Sequence, residues 1–382
     1  MPVKIITNVS EFEQLREKWN ALAETSAYPN IFTTWEWSFL WWKHFGQTVG
    51  RRDGTLFILL VETDAPEGEL LAIFPLYRTG KGRFLYWIGY GARPCAEYLG
   101  PIIRLDAIDV AVQTACDFLM NDAGNWNRLY FEDYAPDDPG TTAFADRLKQ
   151  KLPNHAAQGE ERYYIPLPDS YDAYLKTLSR NNRMYKKKRL NKSKSAYQAT
   201  PEVITSTDAE RGFSILVDLT TQARQRKGQS PPFFQKSYRD FHREVIETLL
   251  PLNRVILFVL NYSDQPVSIR YGYTLHQKFY DYQTGFASEA PGSPGDVTLQ
   301  FLLMHLMDRQ YTEFDFLRGR DEYKSAFTKT TRKTEMLSVY RGKNLIYFRD
   351  RLTARLFYPL KQTIKHLLMK LTSIRLHKKG DH

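Results

Sequence analysis

The chain reads as an α/β (α+β) protein: two tandem mixed-sheet halves followed by a basic amphipathic helix. Three observations predict this. Its 382 residues exceed what a single hydrophobic core usually serves. Two three-strand meanders, at 55–88 and 254–286, are each followed by a helix and one more strand, an order that calls for a crossover connection and a mixed sheet. Finally, "DVAVQTACDFLMNDAGNWNRLYFEDY" (109–134) has a counterpart in "DVTLQFLLMHLMDRQYTEFDFLRG" (296–319). Both run Asp-Val-x-x-Gln, an apolar helix, then a strand carrying an acid beside aromatics, as an internal duplication would. The expected division is 1–165, 166–345 and a tail over 346–382.

The first half opens with "VKII" (3–6) as a short strand, and Ser10 caps a helix to about Leu22 with Glu13 at the capping-box position. "TTWEWSFLWWKHF" (33–45) is a helix with Thr34 as cap and its aromatics mostly in the core. Strands at 55–62, 69–77 and 84–88 are separated by the turns "APEG" and "TGKG". A helix from Asp109 to Met120 leads to the strand "RLYFED" (128–133). In the second half a helix from Ser170 runs into a basic stretch, and helices cover 207–226 and 235–250. Strands at 254–261, 266–275 and 278–286 make the second meander. "GSPGD" opens a helix to Arg309. The strand "EFDFL" (313–317), a short helix over 321–327 and a strand at 335–341 complete the half.

The formal charge of +10 is unevenly spread. No acid occurs between Asp172 and Glu202, while Arg180 to Lys194 holds eight basic residues, and 351–379 has no acid at all. Such a surface favours phosphates, nucleic acid or an acidic membrane. The two cysteines, Cys95 and Cys116, lack metal-like spacing, and the histidines form no paired motif, so neither a disulfide framework nor a metal site is expected. The N-terminus lacks a signal-peptide apolar core, and the longest apolar run, "LFILLV", is too short for a bilayer. A cytoplasmic protein is expected.

Chemistry is most legible in "GFASEAPGSPGDVTLQFLLMHL" (285–306). A Gly-Ser-Pro-Gly turn opens a helix there, and free N–H groups at a helix start suit a phosphate. Gly292, Ser293, Gly295 and Asp296 are the candidate cofactor-binding residues. The same pattern is also that of an ordinary turn. The preceding strand "KFYDYQTGF" alternates Phe279, Asp281, Gln283 with Tyr280, Tyr282, Thr284, and the next strand carries Asp315. A crossover helix would set these strands side by side and parallel, with the loop at their ends, where ligands of α/β sheets sit.

This order of meander, loop, helix, strand and short helix with a tyrosine is that of the acyl-CoA-dependent GNAT fold. The chain resembles the bacterial GNAT-type proteins grouped with the cellulose-biosynthesis protein CelD and is similar, more distantly, to the FemAB peptidoglycan aminoacyltransferases, which carry two GNAT-like halves. The resemblance rests on "FTTWEWSFLWWKHFG" (32–46), "LLAIFPLYR" (70–78), "LSRNNRMYKKKRL" (178–190), "SPGDVTLQFLLMHL" and "FDFLRGRDEYKSAFT" (314–328). The chain departs from single-domain members in lacking a Q/R-x-x-G-x-G/A loop.

The resemblance implies transfer of an acyl group from acyl-CoA to an amine or hydroxyl of a cell-envelope or exopolysaccharide-related acceptor. The acceptor must lose a proton, the thioester carbonyl must be polarised, and the thiolate reprotonated. In the family, backbone amides of a splayed strand polarise the carbonyl, and a tyrosine after the fifth strand protonates the thiolate. Tyr323 matches that tyrosine by position. Asp315 or Asp281 would serve as base or acceptor-orienting carboxylate. Arg318, Arg320 and Lys324 would bind an anionic part of either substrate. Each also has a structural reading: a strand-end ion pair, a packing tyrosine, a sheet-face acid, a solvated loop. Arg180 and Arg183, in the basic helix, are candidate ligands for donor phosphates or part of a solvated face. With only Tyr185 interleaved, base stacking is not indicated, and DNA is not expected. Two other readings stay open: an aminoacyl-tRNA donor, and a non-catalytic accessory factor of a polysaccharide synthase. In the tail, Leu352, Leu356, Leu360, Ile364, Leu367, Leu371 and Ile374 recur at three or four residues, interrupted by Pro359. It would rest peripherally on an anionic membrane, or dock on this chain or a twin.

Overall fold

The structure is a computed structural model that describes residues 1–46, 54–65, 68–80, 83–91, 96–121, 124, 126–319 and 322–353. It opens with β1 (Val3–Ile6) and two short helices, α1 (Val9–Gln14) and α2 (Arg16–Glu24). Asn8, not Ser10, caps α1. Its side-chain oxygen accepts from the Glu11 N–H at 2.8 Å, and its amide donates to the Glu11 carboxylate at 2.7 Å. The reciprocal pair thus sits two residues earlier than expected. The aromatic helix α3 (Trp35–Phe45) buries Trp37 and Trp41 completely. Thr34 precedes it, but its hydroxyl turns back to Ile31 O at 2.7 Å.

The first meander departs most from expectation. Two of its expected strands are each split, into β2 (Thr55–Leu56) with β3 (Ile58–Glu62), and β4 (Leu70–Phe74) with β5 (Leu76–Thr79). The hairpin leaves one sheet and enters another at Phe57 and Pro75. Proline has no N–H for a ladder, so the break falls there. After β6 (Phe84–Trp87), β7 (Ile102–Ile103), α4 (Ile108–Asn121) and β8 (Arg128–Tyr134) come α5 (Pro139–Lys151) and β9 (Asn154–Gln158).

Then come β10 (Arg162–Pro166), α6 (Tyr171–Thr177) and α7 (Arg180–Tyr197). Two serine caps explain why the expected single helix is two: Ser170 accepts from Ala173 N at 3.2 Å and Ser179 from Asn182 N at 3.3 Å. Next come β11 (Ala199–Val203), α8 (Ala209–Arg226), α9 (Lys236–Leu249), β12 (Val255–Tyr262), β13 (Gln265–Leu275), β14 (Lys278–Phe286) and α10 (Pro294–Asp308). β15 (Glu313–Asp315), a short 3-10 turn (Glu322–Ala326), β16 (Thr331–Arg332) and β17 (Glu335–Tyr340) end the series. Residues 345–353 are helical; the rest of the tail lies outside the described residues.

The strands form three sheets, in the orders β1-β3-β4-β7, β2-β5-β6-β8-β17-β9 and β11-β12-β13-β14-β15-β10-β16. Each half has a parallel pair closed by a crossover helix: β6 with β8, and β14 with β15. Two strands cross the sequence boundary. β10 joins the second-half sheet beside β15, and β17 joins the first-half sheet between β8 and β9. β12 shows how one strand serves two cores. Leu257 and Val259 join the large core that includes α3, α8 and α9, while Ile256, Phe258 and Leu260 face the core under α10. The large core runs through both halves, with Trp37 edge-on to Phe241 at 5.7 Å and Phe32 edge-on to Tyr273 at 5.5 Å.

Candidate active site

β14 and β15 pair in parallel only over Lys278–Tyr280 and Glu313–Asp315. Beyond Tyr280, β14 continues to Phe286 while β15 stops, so the edge of β14 over 281–286 has no strand partner on that side among the described residues. The cause is local. The Asp315 carboxylate accepts the Leu317 N–H at 2.7 Å, an Asx turn that holds Leu317 at φ +52° and turns the chain away. Lys324 then gathers the diverging loop: its ammonium donates to the carbonyls of Phe316, Leu317, Arg318 and Gly319 at 2.9–3.3 Å. The gap so opened is a cleft of about 870 Å³, within the range of small-molecule sites. It lies at the C-terminal ends of the parallel strands, with the start of α10 as its floor.

The cleft is strongly cationic. Arg189 of α7, Arg224, Arg226 and Lys227 at the end of α8, Arg270 of β13 and Arg318 all line it, against the two acids Asp281 and Asp296. Both acids are committed to cations. Asp281 is ion-paired with Arg270, and Asp296 with Lys186 and, at 3.5 Å, Arg189. Arg270 is the hub. It is buried in β13, bonds Asp281, reaches Gly295 O at 3.3 Å, and hydrogen-bonds the Tyr323 hydroxyl. Burial works against its charge, but Asp281 and Tyr323 outweigh that and raise its pKa. The other Asp281 oxygen, Oδ1, is buried without a hydrogen-bond partner. Lys186 is pulled down to about 8 by burial, against the Asp296 charge, and its ammonium sits 3.1 Å from the centroid of the Phe327 ring.

The structure brings some expected residues together and separates others. Asp281, Gly292, Ser293, Gly295, Asp296, Arg318, Tyr323 and Lys324 all line the cleft. Tyr323 stands at its mouth, 41% exposed, edge-on to Phe316. Gly292 and Ser293 take φ of +76° and +60°, and a Cβ on Gly292 would press on the Tyr197 ring at 2.7 Å. The loop is a smaller anion cradle than expected. Pro294 has no N–H, and the Asp296 and Val297 N–H groups both turn back to Ser293 O at 3.0 and 3.3 Å, leaving Gly295 as the donor of that turn.

Asp315 does not line the cleft. It is 0% exposed at the end of β15, accepts from the Tyr98 hydroxyl at 2.8 Å, and lies 3.8 Å from Arg332. Burial pushes its carboxyl up to about 6, with Arg332 opposing. Lys324 is 2% exposed and spends its donors on backbone carbonyls, which gives it a structural task where a ligand contact was expected. Arg318 reaches the cleft but is held by first-half acids: Glu97, Glu132 at 3.6 Å and Asp133 at 3.9 Å. Arg180 and Arg183 are not in the cleft lining, since the buried face of α7 carries Lys186, Leu190 and Ser193. Arg320 lies outside the described residues. Sequence reasoning missed Arg189, Arg270 and the Arg224–Arg226–Lys227 group. One signal was present: Arg270 is the lone charge within the apolar run "VSIRYGY".

Comparison with known proteins fits this geometry. Residues 179–325 match the family described as acetyltransferase (GNAT) domain. No curated protein matches the chain. Among solved structures, FemX is similar over 88% of this chain and 97% of its own, with TM-score 0.59 and 11% identity. L-PGS from Bacillus licheniformis is similar over 88% and 95%, with TM-score 0.54 and 13% identity. A conserved protein of unknown function from Bacteroides thetaiotaomicron covers 89% and 99%, with TM-score 0.51 and 12% identity. These likenesses concern the fold across both halves. Residues 179–325 therefore carry the match to a GNAT-type acetyltransferase domain, within a two-half α/β fold that is similar to those of FemX and L-PGS.

Proposed function

We propose that the protein transfers an acyl group from a phosphate-bearing donor, acyl-CoA, to an amine or hydroxyl of a cell-envelope or exopolysaccharide-related acceptor, and that the second-half cleft is where it does so. The observation that carries this reading is the opening between β14 and β15, ringed by arginines with Tyr323 at its mouth. The unpaired β14 edge offers backbone groups to a thioester arm and its carbonyl. Arg189, Arg224, Arg226 and Lys227 supply the phosphate contacts that the short loop cradle does not. Tyr323 gives the leaving thiolate its proton, with Arg270 orienting the hydroxyl. Asp281, through its unbonded oxygen, holds the acceptor's N–H or O–H and takes the proton that the acceptor loses as its bond to the acyl carbon forms and the C–S bond breaks. Asp315 is a positioning residue, because its turn creates the opening. Isothermal titration with acetyl-CoA and longer acyl-CoAs tests this, and a protein that binds none of them is not the proposed enzyme.

A second reading changes the donor to aminoacyl-tRNA. It is favoured by the two-half likeness to FemX and L-PGS and by the run of exposed bases along α7 beside the cleft. Charged tRNA shifting in a gel at low salt, with affinity falling steeply as salt rises, alongside silence toward acyl-CoA, would select it. A protein that ignores both donors while its loss still changes the envelope would be an accessory factor.

A further inference from the structure

The helical start of the tail is fastened to the first half by one face only. Asn344 caps it, accepting from the Tyr347 N–H at 3.0 Å. Tyr347 packs edge-on against Tyr340 at 5.3 Å. Asp350, one turn on, takes Arg128 at 2.9 Å and the Tyr340 hydroxyl at 3.2 Å. On the opposite face, spaced by three and four residues, Leu345, Phe348 and Leu352 are 87%, 54% and 59% exposed. Arg349 and Arg351 flank that stripe and are also exposed. An apolar stripe bordered by arginines on a helix pinned flat to a folded body is the layout of an interfacial segment. Long basic side chains beside it can lie along hydrocarbon and keep their charge in the headgroups.

We infer that this face docks the protein on an anionic lipid bilayer. The inference stands apart from the transfer chemistry. Charge selects the occupant. Residues 345–382 carry nine basic and two acidic residues, so +7 of the net +10 resides there. The remainder of the chain is itself positive. A second copy or this chain's own surface would meet like charge, whereas anionic headgroups complement it. In sequence the apolar spacing continues through Leu356, Leu360, Ile364, Leu367, Leu371 and Ile374, with lysines and arginines between them.

The test is flotation of the full chain with vesicles of phosphatidylcholine alone and of phosphatidylcholine mixed with phosphatidylglycerol. The expected result is flotation with the anionic vesicles only, reversed by salt. In the triple variant Leu345→Ser, Phe348→Ser, Leu352→Ser the bound fraction should fall about tenfold or more, with unchanged circular dichroism because all three side chains are exposed. A full chain that stays unbound to anionic vesicles overturns the inference. So does a triple variant that floats like the parent, or one that instead dissolves a dimer seen by sedimentation.

Discussion

Each half of the molecule contains the same device: a short parallel strand pair joined by a crossover helix. In the first half Phe84–Tyr86 lies beside Arg128–Tyr130; in the second, Lys278–Tyr280 lies beside Glu313–Asp315. The segment that leaves each pair differs. Residues 88–101 separate β6 from β7, and among the described ones Ile88, Ala96, Glu97, Tyr98 and Leu99 are buried. Glu97 then meets Arg162, which is 0% exposed, and Arg318. In the second half only residues 287–293 separate β14 from α10, and they leave the strand ends open to an arginine-lined cleft. The scaffold alone therefore does not make a site. A filled opening becomes a brace, and an open one becomes a candidate for chemistry. The brace still reaches the site, because Arg318 on the cleft wall is held by acids of the first half.

The contrast between the halves should be sharpest at Arg270. Arg270→Met leaves Asp281 buried and unpaired, a change worth about 3–5 kcal/mol of stability, readable as a fall in denaturation midpoint together with lost donor binding. Arg162→Met, its counterpart in the brace, should lower the midpoint while donor binding by the folded fraction persists. Next is Tyr323→Phe. The side chain is exposed, so stability should hold while the transfer rate falls about 100-fold or more. Tyr130→Phe in the first half should leave the rate alone. Equal effects of the two substitutions would remove the distinction between the halves.

A third prediction concerns pH. Asp315 titrates near 6 when folded, above its unfolded value of about 4. Below that window both states hold the proton. As pH rises through it the unfolded carboxyl ionises first, so this group's contribution to stability falls, by about 3 kcal/mol in total, and is flat above it. Denaturation midpoints across the window should show this decline, and Asp315→Asn should lack it. The smallest effects are expected at the rim: Arg189→Ala and Arg224→Ala should each weaken donor binding about tenfold, more at low salt than at high.

Much of this architecture was legible in the sequence. The second meander, the α10 crossover and the aromatic helix follow from strong periodicity and clear turns, and the structure has them. Two features were not legible. The split of the first meander at Phe57 and Pro75 depends on which sheet each strand joins, which no local pattern records. The exchange of β10 and β17 between halves is likewise a long-range pairing. At the site, motif order places the loop, Asp281 and Tyr323 near strand ends, and in the structure they line one cleft. Asp315 lies outside the cleft lining and Lys324 gives its donors to carbonyls, and sequence spacing does not tell a spent donor from a free one. Arg270 was missed although a lone charge in an apolar strand marks it.

If the second-half opening holds the donor, closing that opening must abolish binding. Gly295 offers the cleanest way to close it. A Cβ there would meet only Phe286, at 3.6 Å, so a large side chain can enter the cleft without disturbing the backbone. The decisive measurement is isothermal titration of acyl-CoAs into the wild-type protein and into Gly295→Trp, with melting temperatures measured alongside. The prediction is saturable binding to the wild type and none to the variant at unchanged melting temperature. Binding that survives in Gly295→Trp would place the donor elsewhere and contradict the assignment of the cleft.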